Sequence, residues 1–213
     1  IQSGEDCRSI KGLSGQVIEG SPGIMSKKIV LFNASPRKGG NSEFVTTYLA
    51  EKLSGNEITT FNVREKEIHP CLACAWCQGK EKAAGCMQKD DFTTVLPILD
   101  HCDAIVLATP IYYNQITAQA KMIFDRLYPF FNVDKIQMTN SPLGKKAALV
   151  CSCWGSPRDV MEKYADWTAG NFGMVGASDI KSYVFDGIPE RGALKKHEDY
   201  LQKLDELAKW LKA

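Results

Sequence analysis

The 213-residue chain lacks any apolar run near the length needed to cross a bilayer; runs such as 29–32 and 104–108 are far below the roughly 18–20 residues required. It lacks an excess of either charge: 26 Lys+Arg face 25 Asp+Glu, the net charge is +1, and no basic block occurs. A chain held to nucleic acid mainly by charge needs a concentrated basic surface to displace counterions, so that class is excluded. Histidine is scarce as well, with three residues, which leaves no His-based metal site or catalytic triad to argue for. The chain is also too long for its eight cysteines to form the dense disulfide framework of a small secreted domain. What is present suits one globular domain with a sizeable core: 44% hydrophobic residues and a mean hydropathy of −0.22. Four of the cysteines crowd into positions 71–86. Such clustering in a charged, well-cored chain reads as metal or redox chemistry in a reducing compartment, so the cytoplasm is the expected location, with no membrane and no nucleic-acid partner.

Residues 1–24 are rich in Gly and Ser and carry no sustained apolar periodicity. They read as an appendage, either an added leader or a natural extension with Met25 as an internal start, and they have neither the basic start nor the apolar stretch of a secretory signal. From Met25 to the end at 213, short apolar runs alternate with helical patterns, the arrangement of parallel strands covered by helices on both faces. Strands are expected at 28–32, 57–63, 103–109, 146–153 and 180–185, the second half-exposed near the sheet edge. Helices are expected at 42–53, 91–101, 117–128, 158–172 and 193–211, with Pro97 kinking the second. Five strands and five helices fit one doubly wound α/β sheet, a three-layer αβα domain over residues 25–213.

Directly after the first strand the chain reads Asn33-Ala-Ser-Pro-Arg-Lys-Gly-Gly-Asn-Ser42, and then a helix begins. Backbone N–H groups at a helix N-terminus favour an anion; Ser35, Asn41 and Ser42 add short donors, and Arg37 adds a planar cation suited to phosphate. The loop has neither the Gly-x-x-x-x-Gly-Lys-Ser/Thr spacing of a nucleoside-triphosphate loop nor Gly-x-Gly-x-x-Gly, so a monophosphate fits better than a triphosphate or a dinucleotide pyrophosphate. The alternative is a plain capping turn, in which Asn41 or Ser42 satisfies the first amides of the helix and Gly39-Gly40 makes the bend.

After the third strand comes Pro110-Ile111-Tyr112-Tyr113-Asn114. In the strand order 2-1-3-4-5 this loop lies beside the first one across the switch point, where a flat ring could rest with its edge on backbone groups and a tyrosine on its face. For either tyrosine alone, core packing or a subunit interface explains the residue as well.

These residues resemble the flavodoxin-like NADPH-dependent FMN reductase family, its iron–sulfur flavoprotein branch in particular. The resemblance rests on Ser-Pro-Arg-Lys-Gly-Gly-Asn-Ser at 35–42, the cysteines followed by Asp90-Asp91, Thr-Pro-Ile-Tyr-Tyr at 109–113, and Lys-Met-Ile-Phe-Asp-Arg at 121–126. It covers residues 25 to about 128 well and the C-terminal third in outline. It implies FMN, with the phosphate held by a first loop that comprises Ser35, Arg37, Lys38, Gly40, Asn41 and Ser42. The isoalloxazine would lie against Pro110, Ile111, Tyr112, Tyr113 and Asn114, and a third loop with Cys153, Trp154 and Gly155 would close over it. A homodimer or homotetramer is implied too.

Cys71-x-x-Cys74-x-x-Cys77 puts three thiols on one short loop, at a spacing that lets successive sulfurs turn to a common centre, and Cys86 follows after eight residues. Three readings stand: a [4Fe–4S] cluster on Cys71, Cys74, Cys77 and Cys86, zinc, or thiols without a metal. The gap before Cys86 is longer than in the iron–sulfur branch. Trp76 would shield a cluster or cap the core, and His69 stands at the mouth of the loop.

The chemistry expected is the cofactor's: NAD(P)H reduces FMN, which passes electrons to a quinone, a flavin or another small acceptor, and no catalytic acid or base is required of the protein. An iron–sulfur flavoprotein carrying electrons between partner proteins is the alternative, and a non-catalytic phosphate-binding or thiol-sensing module is a third.

Overall fold

The structure, a computed structural model, describes residues 26–79, 85–131, 139 and 141–213. The appendage at 1–24 lies outside the described residues. Five parallel strands form the sheet: β1 (Lys28–Asn33), β2 (Glu57–Asn62), β3 (Ala104–Tyr112), β5 (Lys145–Ser152) and β6 (Ala177–Phe185), with a two-residue strand β4 (Gln115–Ile116) antiparallel to the end of β3. The order β2-β1-β3-β5-β6 is the expected 2-1-3-4-5 once β4 is set aside. β2 is a half-exposed edge strand, as expected, and β6 forms the other edge.

Alternation along the strands divides the core. Val30 and Phe32 of β1 face one layer with Ile105 and Leu107 of β3, whereas Ile29 and Leu31 face the other with Ala104 and Val106. The first layer is covered by α2 (Leu96–His101), α3 (Ala118–Asp125) and α4 (Arg158–Ala169); the second by α1 (Asn41–Lys52) and α5 (Glu198–Lys212). Burial on both faces is why the inner strands read as unbroken apolar runs.

Three helices differ from expectation. The segment expected as one kinked helix at 91–101 is a 3₁₀ turn, Asp91–Thr94, followed by the short α2. Pro97 sits in the first turn of α2, where its missing N–H costs nothing, so it starts the helix rather than bending it. The inward residues are nevertheless those expected: Phe92, Val95, Leu96 and Leu99 are all buried. The helices expected at 158–172 and 193–211 likewise each include a 3₁₀ segment, Gly170–Val175 and Ala193–Lys196.

Candidate cofactor site

All the parallel strands run the same way, so the loops after β1, β3, β5 and β6 gather at one edge of the sheet. After β1, buried Asn33 turns the chain: its Oδ1 accepts from the Ser35 amide (3.2 Å) and its Nδ2 donates to Asn62 Oδ1 (3.0 Å). Ser35 Oγ accepts from the Arg37 amide (3.1 Å), curling the loop back. At Gly39, φ is +69°, and its amide donates to the Glu43 carboxylate (2.9 Å). A Cβ on Gly40 would stand 3.2 Å from Ser35 Oγ and 3.4 Å from the Arg37 carbonyl, so a side chain there would crowd the loop.

The capping-turn alternative fails at α1, which has no side-chain cap. Asn41, one of the two expected caps, spends its carboxamide elsewhere: Nδ2 donates to the carbonyls of Ile188 (3.4 Å) and Glu190 (3.1 Å), and Oδ1 accepts from the Leu194 amide (3.1 Å). The first-turn amides of α1 are therefore left without a side-chain acceptor, which is the arrangement of an anion seat. Asn41 thus enters the site as a strut between α1 and the loop after β6, a role the sequence reading did not assign to it.

The second wall comes from β3, which runs on through Pro110 and Ile111 to Tyr112 and turns back into β4. Ile111 pairs with Ile116 and Tyr112 with Gln115, so Tyr113 and Asn114 form a two-residue hairpin turn with φ of +49° and +60°. The Arg37 guanidinium lies 5.7 Å above the Tyr112 ring, joining the first two loops. A second tie is Thr117, which caps α3 through the Ala120 amide and donates its hydroxyl to the Ala34 carbonyl (2.8 Å).

The third wall is Ser152, Cys153 and Trp154, held to the loop after β6 by the Cys153 amide on the Phe185 carbonyl (2.9 Å) and the Ile188 amide on the Cys153 carbonyl (3.3 Å). Burial, reinforced by the Asp186 carboxylate 3.6 Å from its sulfur, pushes the Cys153 thiol up to about 12. It is therefore a neutral thiol in the cleft wall at ordinary pH, and burial pushes Cys151 up as well.

These walls enclose a cleft of about 360 Å3, within the range of small-molecule sites. Of the expected residues, Ser35, Arg37, Gly40, Asn41, Ser42, Pro110, Ile111, Tyr112, Cys153 and Trp154 line it. Lys38, Tyr113, Asn114 and Gly155 fall outside its lining. Tyr113 is fully exposed at the hairpin tip, and Asn114 accepts from Ser156 Oγ (2.7 Å), tying the hairpin to the third loop. The sequence reading missed the fourth wall, Ile188 to Arg191. Its only signal was position, directly after a parallel strand on the same edge as the other three loops. The uncapped amides, buried Ser35 and Ser42, Arg37 and the small Gly40 suit a phosphate, and the flat Pro110–Tyr112 wall suits a ring, so the residues present fit FMN.

The four clustered cysteines line a separate cavity of about 20 Å3, together with Arg126 and Met87. Cys71 and Cys74 are exposed, Cys86 is half-buried and Cys77 is buried. Ala73 and Ala75 adopt left-handed backbone (φ +52° and +54°), and the Ala73 amide donates to Cys71 Sγ (3.4 Å). Burial raises the Cys77 thiol, and Cys86, Cys71 and Cys74 around it raise it further. Among the described residues, however, no three Cys, His, Asp or Glu side chains stand close enough to hold an ion as they are. The donor set fits a thiolate-ligated centre chemically, and ligation requires the sulfurs to draw inward.

Asp90 and Asp91 hold the base of this loop closed. Asp90 accepts from the His69 amide (3.0 Å), and Asp91 accepts from the Glu67 amide (2.9 Å). Arg126 meets both Asp90 oxygens (2.6 and 3.0 Å) and the His69 carbonyl (2.8 Å). Burial opposes the charge on Asp90, but the Arg126 hydrogen bonds and the His69 amide outweigh it and hold the carboxyl below its usual range. Burial likewise opposes the Arg126 charge and is outweighed by Asp90, with the neighbouring Cys86 thiol contributing. His69 remains at the mouth, its ring 3.7 Å from Asp90.

An iron-sulfur flavoprotein of Archaeoglobus fulgidus is 34% identical over 105 residues, 48% of this chain and 46% of that protein, so the match spans about half the relative's length. An iron-sulfur flavoprotein of Methanosarcina thermophila is 30% identical over 138 residues, 64% of this chain and 68% of that one. The fold is shared with the NAD(P)H:quinone oxidoreductase from Methanothermobacter marburgensis at a TM-score of 0.65, 18% identity, and coverage of 88% of this chain and 98% of that one. Residues 27–185, from β1 to the end of β6, match the NADPH-dependent FMN reductase family as a whole, and the chain belongs to that family.

Proposed function

We propose that the protein is an FMN-dependent oxidoreductase that passes electrons from NAD(P)H to a quinone, a flavin or another small acceptor. The observation that carries this reading is the cleft, whose floor is an uncapped helix N-terminus and whose wall is the Pro110–Tyr112 strand end. Bound FMN would supply the hydride and electron chemistry. The chain's own residues bind and orient it. Ser35, Ser42 and the α1 amides receive the phosphate, Arg37 neutralises it, and Ile111 and Tyr112 fix the plane of the ring. Cys153, neutral and buried, adds polarizable surface without adding charge. A homodimer or homotetramer belongs to this reading: Trp154 and Tyr113 are exposed at the mouth, where a second copy would cover them. A cytoplasmic location suits the unpaired, clustered thiols. Among the described residues, no helix is long and apolar enough to cross a membrane.

Titration of apoprotein with FMN, followed by quenching of flavin fluorescence, tests the assignment. Ser35→Ala combined with Arg37→Ala is expected to weaken binding at least tenfold, about 1.4 kcal/mol. Wild-type protein that rejects FMN overturns the proposal, and equal affinity in the variant moves phosphate binding to other loops.

A second reading, favoured by the common cavity of the four cysteines, adds a [4Fe–4S] cluster at Cys71, Cys74, Cys77 and Cys86 and an electron-carrying role between proteins. Its test is iron and acid-labile sulfide analysis after anaerobic reconstitution.

A further inference from the structure

The buried arginine at the end of α3 is used by nothing in the cleft. Arg126 is 1% exposed and lines the cysteine cavity. Both of its terminal nitrogens are spent, Nη1 on the His69 carbonyl and Asp90, and Nη2 on the other Asp90 oxygen. Its flat face lies over the Phe92 ring at 5.3 Å. The remaining donor, Nε–H, is buried and has no acceptor among the described residues. A buried donor left unmade costs about 1–3 kcal/mol, more for a charged group, so an orphan of this kind asks for an explanation. Cys86 lines the same cavity as Arg126, and its thiol helps hold the guanidinium charged.

We propose that Arg126 is a positioning residue of the four-thiol centre, with its Nε–H reserved for the Cys86 sulfur once the cysteines converge on a metal. This rests on the iron–sulfur reading above. The planar fork explains the residue type: Asp90 grips one edge bidentately and thereby aims the third donor, which a lysine ammonium cannot reproduce. Asp90 also explains how the cation stays buried without metal, since each side chain of the pair is 1% exposed. With thiolates gathered on a metal, the guanidinium adds a positive charge and an N–H···S bond, both of which favour the more reduced, more negative state.

The test uses the full chain carrying FMN, reconstituted anaerobically with iron and sulfide. Two variants are compared with wild type: Arg126→Lys, which keeps the charge and loses the aimed donor, and Arg126→Gln with Asp90→Asn, which removes both charges so that no ion is left buried alone. Iron loss to a chelator is expected to speed up tenfold or more. The potential is expected to fall, with a tenfold change in the reduced-to-oxidised ratio corresponding to about 59 mV for one electron. FMN affinity should stay at the wild-type value, which separates this effect from a general loss of fold. Wild-type iron retention and potential in both variants overturn the role of Arg126. A wild-type chain that takes up no iron overturns the iron–sulfur reading itself, and this inference with it.

Discussion

Every wall of the cleft continues from the end of a parallel strand, whereas the described part of the cysteine loop is tied at its base by a buried ion pair and the His69 amide on Asp90, and at Gln78 by a hydrogen bond to the Tyr128 carbonyl. The cleft loops inherit their positions from parallel strands, three of them (β1, β3 and β5) buried on both faces, and short ties such as Thr117 to Ala34 and Asn41 to Glu190 only adjust them. Among its described residues, the cysteine loop has a short 3₁₀ turn, Trp76–Gln78, and two alanines in left-handed backbone. A cleft on strand ends is preorganised for a rigid ring. A loop held at its base, with its sulfurs not yet converged, leaves room for a metal to organise it.

The largest expected effect comes from cutting the loop's anchor. Asp90→Ala leaves Arg126 buried and unpaired and should destabilise the chain by about 3–5 kcal/mol, read from urea unfolding. A loss within 1 kcal/mol would mean that the loop is held by other contacts. The same pair has a pH signature. Because the folded carboxyl of Asp90 lies below its ordinary value, its contribution is full above about pH 3.9 and is lost as pH falls through the folded pKa. Acid unfolding should therefore be steeper in wild type than in Asp90→Asn.

A smaller effect is expected on the cleft side. Asn41→Ala removes three hydrogen bonds to the segment Ile188 to Leu194. It should cost about 1–3 kcal/mol and speed hydrogen exchange at the Leu194 amide, with protection in the β1 and β3 strands retained. Equal exchange rates would show that the fourth wall stands without its strut.

The smallest effect lies at the hairpin tip. Tyr113 has φ of +49° and its side chain is fully exposed. Tyr113→Gly relieves left-handed strain that contacts within the chain do not repay, and should stabilise by about 0.5–1 kcal/mol. If FMN affinity falls together with that gain, Tyr113 belongs to the ring wall after all.

Much of the cleft was legible beforehand because its chemistry sits where periodicity stops. Strand, donor-rich loop and helix follow one another at 28–53, and Pro110 closes an apolar run. The role of Asn41 was not legible, since its partners lie 147 to 153 positions away. The same holds for Asp90-Asp91, which the motif marked without a mechanism: one aspartate meets an arginine 36 residues on and the other a backbone amide 24 residues back. Pro97 misled because a proline within a helical pattern and a proline at a helix start look alike until the preceding turn is seen to be 3₁₀.

The order of strands and helices, the two-faced burial and the composition of three cleft loops follow from the sequence alone, because they depend on local periodicity and on short-range turn chemistry. The fourth wall, the Asn41 strut, and the buried Arg126 donor left without an acceptor among the described residues belong to the tertiary structure. They are meetings of polar groups far apart in the chain, and only the packing of helices on the sheet decides which buried donors find acceptors and which are left over.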